Sequence, residues 1–360
     1  MFSASLERLG KAWRERLDAV PGYQVVPDGE MFRTSFLDSF LFTSEYRAAQ
    51  VLKGRLLEEH RGTTPEELFS GDEVETPCGP AFRIRSSHPL EGQLPSPAEV
   101  KARLQADLTL VEGIGPATER LLRSRGYATI RDLLPHRRFG GAAQRCLEVL
   151  DSADPREVME WVARWYPRSH PTLLRTACLH RGWDPLFLDI ETMGLFSRPI
   201  ILIGVGKVSR GRLEVDQYLL RDIREEPAAL AAAFASGEED RTALVTYNGK
   251  TFDVPFLSAR AVYYGMPPPF DLLHYDLLHF SRRRWKGDFP DFRLATLERH
   301  LFGVTREMDV PGALVPEFYD AYQRFGNPGP LLPVVLHNRQ DVVSLALLFY
   351  RMLSEGYGGS

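Results

Sequence analysis

The sequence predicts an α/β or α+β domain of about 170 residues in its second half, preceded by a helical module and a less regular N-terminal region. Three observations carry this reading. Apolar residues keep helical spacing across 98–170, where Val100, Leu104, Leu108, Leu121, Leu122, Ile130, Leu133 and Leu134 recur. From Leu186 the pattern changes to short apolar runs, read as strands over 186–190, 200–205, 213–219 and 243–247. Helical patterns interleave at 227–236 and 254–264, then take over at 272–281, 294–302 and 330–353.

In chain order, residues 1–97 are uneven. Helices are expected over 6–17 and 44–60, followed by a stretch from 71 to 97 rich in Gly, Pro and acids, with a short strand over 81–85. No chemistry is legible there, and the stretch reads as an accessory N-terminal region, at its simplest a packing layer. Ser96, Pro97 and Glu99 have the form of a capping box with proline at the first helical position, so a helix should begin there. The last five residues, Gly356 to Ser360, read as a frayed end.

Composition narrows the class. At 44% apolar and 26% charged, 360 residues fit two or three ordinary globular domains with a real core. No run approaches the ~18 apolar residues of a membrane-spanning helix, and residues 1–16 lack the apolar centre of a signal peptide. Cys78, Cys146 and Cys178 are too far apart for a disulfide framework or a cysteine-type zinc site. The expected location is therefore cytoplasmic. A net charge of −4 by itself argues against nucleic acid as a partner. Its distribution argues otherwise: seven arginines (120, 123, 125, 131, 137, 138, 145) face two acids between Glu119 and Arg145.

Three segments carry candidate chemistry. In the strand from Leu186, Asp189 and Glu191 stand at i and i+2, on one face, with Leu188 and Ile190 on the other. Two acids on one face repel each other, and a divalent cation with hard oxygen ligands removes that penalty. Alone, the pair is a weak signal and reads more simply as a solvated strand end. The second segment runs from Val245 into Asn248-Gly249, a turn pair tolerant of positive φ, with Thr251 as a candidate helix cap. Asp253 then falls in the first helical turn, where dipole compensation alone would account for it. The third is a helix on which His337, Asp341, Leu345 and Leu348 share one face at i, i+4, i+8 and i+11. An ionisable pair on a stripe that otherwise buries leucines is better explained by a site than by packing.

Taken together, these segments resemble the three exonuclease motifs of the DEDD group of RNase H-fold nucleases. More closely, residues 187–195, 246–257 and 337–345 are similar to the YprB-like family of RNase H-like exonucleases. Ile203-Gly204-Val205-Gly206, Pro267-Pro268-Pro269 and Asp276-Leu277-Leu278-His279 agree with it. The resemblance covers residues 183–352 and implies an RNase H-like domain over 183–355, with a mixed sheet flanked by helices. It further implies a two-metal 3′→5′ exonuclease using Mg²⁺ or Mn²⁺. Asp189 would bridge two ions, Glu191 and Asp341 would hold the ion that activates water, and Asp253 would support the second. His337 would orient or deprotonate that water. Three residues separate His337 from Asp341, the spacing of tyrosine-type members, where histidine-type members have four. Met193 stands where related sequences often have Thr, near the expected path of the terminal nucleotide, and Asn248 and Lys250 are expected to meet the nucleic acid. A structure-selective endonuclease, or a catalytically silent DNA-binding protein on the same fold, are the alternatives.

The helical module over 98–170 has a motif of its own. Val111-Glu112-Gly113-Ile114-Gly115-Pro116, followed by Leu121-Leu122 and Gly126-Tyr127, resembles a helix-hairpin-helix motif. Gly113 and Gly115 would let the backbone approach a phosphate, with Arg120, Arg123 and Arg125 alongside. Such motifs hold the DNA backbone without reading bases. A hairpin used only for packing or protein contact is the other reading. Arg282, Arg283 and Arg284 end a helix, where cations commonly answer the dipole, and the adjacent Trp285 is a candidate stacking platform for a nucleotide. Nucleic acid, DNA before RNA, is the expected partner.

Overall fold

The computed structural model describes residues 36–354, except 153, 180–184, 195–197, 239–242, 268 and 307. The expected helix over 6–17 and the C-terminal end at 356–360 lie outside the described residues. The chain divides into two compact units, Met1–Arg55 and Leu56–Ser360. Of the first, residues 36–55 are described, all within helix α1 (Phe36–Glu59).

The second unit is built on one seven-stranded sheet. After α2 (Pro65–Phe69) come β1 (Asp72–Thr76) and β2 (Gly79–Pro89). A helical segment follows: α3 (Pro97–Gln105), α4 (Pro116–Ser124), α5 (Gly140–Asp151), α6 (Pro155–Val162) and α7 (Pro171–Thr176). Then come β3 (Pro185–Thr192), β4 (Ile200–Ser209), β5 (Arg212–Leu219), α8 (Glu226–Glu238), β6 (Ala243–Thr246), α9 (Asp253–Tyr263) and β7 (Leu273–Asp276). The chain closes with α10 (Leu277–Arg284), α11 (Leu294–Phe302), α12 (Val315–Phe325) and α13 (Leu331–Ser354). Strand order is β1-β2-β5-β4-β3-β6-β7. β3, β4 and β5 form an antiparallel meander, whereas β6 and β7 run parallel to β3 after helical crossovers.

Three expectations change. The stretch read as an accessory layer contributes β1 and β2, which pair antiparallel with each other and extend the sheet through β5. The expected helix over 272–281 is a strand followed by a helix. Leu273 and Tyr275 alternate inward against β6, and Asp276 caps α10 by accepting from the Leu278 amide at 3.2 Å. Finally, α12 lies in a stretch given no element, although Pro316 in its first turn and the left-handed Gly326 at its end are ordinary helix signals.

The capping box at the start of α3 forms as expected: the Ser96 hydroxyl accepts from Glu99 N, and Glu99 accepts from Ser96 N at 2.7 Å. The helical segment is no separate body. Leu108, Cys146 and Leu174 belong to the same buried apolar cluster as Phe187 on β3 and Leu345 on α13. A buried Thr176–Tyr275 hydroxyl contact at 3.0 Å ties α7 to β7. No helix among the described residues is long and apolar enough to cross a membrane.

Candidate active site

The site forms where β3 diverges from β6. Those strands pair only from Pro185 to Phe187, so further along β3 the backbone is open on that side. Asp253, the first residue of α9 and 4% exposed, fills the gap: its Oδ1 accepts from Ile190 N at 3.1 Å. Asp253 is thereby tied to the strand that carries Asp189 and Glu191. The turn before it is held by Asp276, which accepts from Asn248 N (2.8 Å) and Lys250 N (3.1 Å). Asn248 has a φ of +64°, as an Asn-Gly turn allows. Thr251 does not cap α9. Its hydroxyl instead donates to the Asn248 carbonyl (3.0 Å) and side chain (2.7 Å), closing the turn.

Helix α13 supplies the third edge. Gly204 on β4 pairs in register with Asp189, and any Cβ at 204 would collide with the Asn338 amide. A Cβ at Gly206 would come within 2.7 Å of Val342 Cγ1. These two glycines let α13 approach the sheet closely. Asn338 then donates to the Asp189 carbonyl (3.1 Å) and to its Oδ2 (2.8 Å), while its own Oδ1 accepts from Gln217 at 2.8 Å.

On either side of Asn338 in the helix, His337 and Asp341 reach the same place. His337 Nε2 lies 3.5 Å from Asp341 Oδ2 and 3.9 Å from Glu191 Oε1. Its Nδ1 lies 2.7 Å from Asp309 Oδ1 and 3.0 Å from Arg306 Nη1. A protonated Nδ1 can donate only to Asp309, which fixes the ring with Nε2 toward the acids. The other oxygen of Asp341 accepts from Arg306 Nη2.

Burial and repulsion dominate the electrostatics. Desolvation first, then the charges of Asp341, Asp253 and Glu191, hold Asp189 well above the usual carboxylate range. Burial, with Asp341 and Asp253, pushes Glu191 up to about 8 against the pull of His337. Asp253 is pushed up to about 7, again chiefly by burial, with its hydrogen bonds acting in the opposite sense. Burial would lower His337, but the bond to Asp309 and the charges of Asp341 and Glu191 prevail and raise it to about 9. Buried, mutually repelling carboxylates are the hard-oxygen donor set that suits a divalent cation. As the side chains stand, no three acid, histidine or cysteine groups among the described residues converge on one point at ligand spacing.

The other expected site residues divide between surface and core. Met193, half-buried, follows β3 and donates its amide to Pro199 O at 2.9 Å. Lys250 is exposed beside the Asn248 turn. Trp285 corrects an expectation: it is 6% exposed and packs near Phe289, so it offers no face for stacking. In the stretch expected to form a hairpin, Gly113 has a φ of +84°, and Gly115 precedes α4 with open space around it. Arg120 and Arg125 are exposed. Arg123, by contrast, serves the fold: it donates to Ala106 O (2.6 Å), Ala128 O (3.3 Å) and Glu119 (2.8 Å). Sequence patterns did not single out Asn338, Arg306, Asp309 or Glu298. Asn338 was findable, since it lies between His337 and Asp341. The other three come from α11 and the irregular chain after it, where no local pattern marks them.

Sheet order, the three converging segments and their acids define the class: residues 186–353 match the RNase_H_2 family of the RNase_H superfamily and form an RNase H-like domain. The chain is also similar to a bacterial protein over part of its length. It is 39% identical over 171 residues to "Uncharacterized protein YprB" of Bacillus subtilis (strain 168), a match covering 46% of this chain and 41% of that protein. The chain thus spans less than half the length of this relative.

Proposed function

We propose that this protein is a metal-dependent nuclease that hydrolyses phosphodiester bonds in nucleic acid, DNA before RNA, as a 3′→5′ exonuclease. The observation that carries the reading is that Asp189, Glu191, Asp253 and Asp341, from three distant segments, pack closely enough to repel one another, with His337 Nε2 3.5 Å from Asp341 and 3.9 Å from Glu191. Asp189, Glu191, Asp253 and Asp341 would hold two divalent cations, Mg²⁺ or Mn²⁺. Such ions supply Lewis-acid stabilisation of the attacking and leaving oxygens.

The chain's own residues do the rest. Asn338 fixes the Asp189 carboxylate, and the Ile190 amide fixes that of Asp253. Asp309 holds the His337 ring with Nε2 toward the acids. Cations on Asp341 and Glu191 would offset the charges that raise His337 and leave Nε2 to orient or deprotonate the attacking water. Presence of all four acids favours catalysis over a silent binding role. Gly113, Gly115, Arg120 and Arg125 would hold the phosphate backbone at a distance from the chemistry. The test is cleavage of 5′- and 3′-labelled single-stranded, duplex and RNA substrates with Mg²⁺ or Mn²⁺. Stepwise shortening of 5′-labelled DNA supports the exonuclease reading, and internal fragments of discrete size would replace it with the endonuclease reading.

A further inference from the structure

Arg306 has no part in the proposed chemistry, yet its side chain is only 9% exposed and enters the acidic site. Its Nε and Nη2 make a fork onto Glu298, at 2.6 and 3.0 Å. Glu298 on α11 is 1% exposed and accepts from the Ser344 hydroxyl at 2.5 Å. Ser344 in turn accepts from Gln340 at 2.9 Å, so two turns of α13 brace the seat. A bidentate fork onto a buried, braced carboxylate is a fixed anchor. The bond to Asp341 is different in kind. It uses Nη2 alone, a nitrogen already shared with Glu298. Arg306 can release Asp341, as it can the more distant Asp309 (3.7 Å from Nη1), without leaving its anchor on Glu298.

We propose that Arg306 is a tethered counter-cation: its guanidinium and a divalent cation compete for the Asp341 carboxylate, a role that rests on Asp341 being a cation ligand. Glu298 keeps the guanidinium beside the site when Asp341 is given up. The placement supports this, because one Asp341 oxygen faces Arg306 and the other faces His337 Nε2. A fixed positive charge within a few ångströms of the ligands weakens the attraction of a second cation. Arg306 is thus a positioning residue that sets the cation concentration at which the site loads.

The sign of one measurement separates this from a purely structural role. Mn²⁺ is titrated calorimetrically into the full chain as wild type, Arg306→Gln, Arg306→Lys and the double variant Arg306→Met/Glu298→Gln. The double variant removes both buried charges together, so neither is left unpaired should Arg306→Gln fail to fold. Competition predicts that losing the guanidinium tightens Mn²⁺ binding by about tenfold even where heat stability falls, and that Arg306→Lys stays near wild type. Affinity that is unchanged or weaker in the variants without the charge would overturn the inference while leaving the nuclease reading in place. Wild type that binds no Mn²⁺ would overturn both.

Discussion

The Asn338 side chain holds Asp189 twice, by its carbonyl at 3.1 Å and its Oδ2 at 2.8 Å, so the last helix grips the strand bearing the leading acid. The grip depends on Gly204, the register partner of Asp189, which leaves the space that the Asn338 amide occupies. Gly204→Ala should therefore force Asn338 away from Asp189. Overpacking of this kind costs about 1–3 kcal/mol, readable by urea unfolding, and hydrolysis should fall as Asp189 loses its orientation. A variant with wild-type stability and rate would contradict this packing.

His337→Ala should lower turnover by about 10²-fold or more, with little change in KM, if Nε2 takes the proton of water. Asp309→Asn should give a smaller loss of the same type, because the ring remains but its orienting carboxylate does not. Steady-state kinetics on a short labelled oligonucleotide separates the two parameters. A loss confined to KM would make His337 a binding residue.

Stability should fall as pH rises when a chelator is present. Glu191, pushed up to about 8, and Asp253, to about 7, keep protons in the folded protein that an unfolded chain releases near pH 4. Between those limits the folded state binds more protons, so the slope of stability against pH is negative. His337, raised to about 9, has the same sign: its contribution is complete below about 6.5 and is lost as pH rises through 9. Mg²⁺ or Mn²⁺ should reverse the trend, by about 2.7 kcal/mol at a hundredfold excess over Kd. Thermal melts at pH 5.5 and 8, with chelator or cation, check this; the cation-induced rise in Tm should be larger at pH 8.

For the hairpin, Arg120→Ala with Arg125→Ala should weaken DNA binding alike across sequences. Each lost phosphate contact should reduce the slope of log affinity against log salt by about 0.7–0.9. Arg123 is left intact in this test because its guanidinium closes the backbone at Ala106 and Ala128. Deleting residues 98–170 is no substitute, since they share a buried cluster with the sheet. Binding titrations over a range of salt give the answer, and an unchanged slope would assign the hairpin to packing or a protein contact.

How much of the site is legible in the sequence depends on the range of the interactions. Asp189 and Glu191 declare themselves through strand alternation, and His337 and Asp341 through helical spacing, because both periods are local. Asn248-Gly249 likewise announces its turn. Arg306 and Asp309 stand in irregular chain, and their roles arise only where that chain meets α13. β7 is four residues long, too short to establish alternation before the helical pattern of α10 begins. Trp285 beside three arginines resembles an exposed binding strip, yet tertiary packing buries the ring against Phe289.

The most direct test compares wild type with Asp189→Ala on 5′-labelled single-stranded DNA in Mn²⁺, both proteins shown folded by circular dichroism. Wild type should give a ladder of products shortened from the 3′ end, with none in chelator and none from Asp189→Ala. Shortening by Asp189→Ala at the wild-type rate, or by wild type in chelator, would contradict a metal-dependent nuclease centred on Asp189.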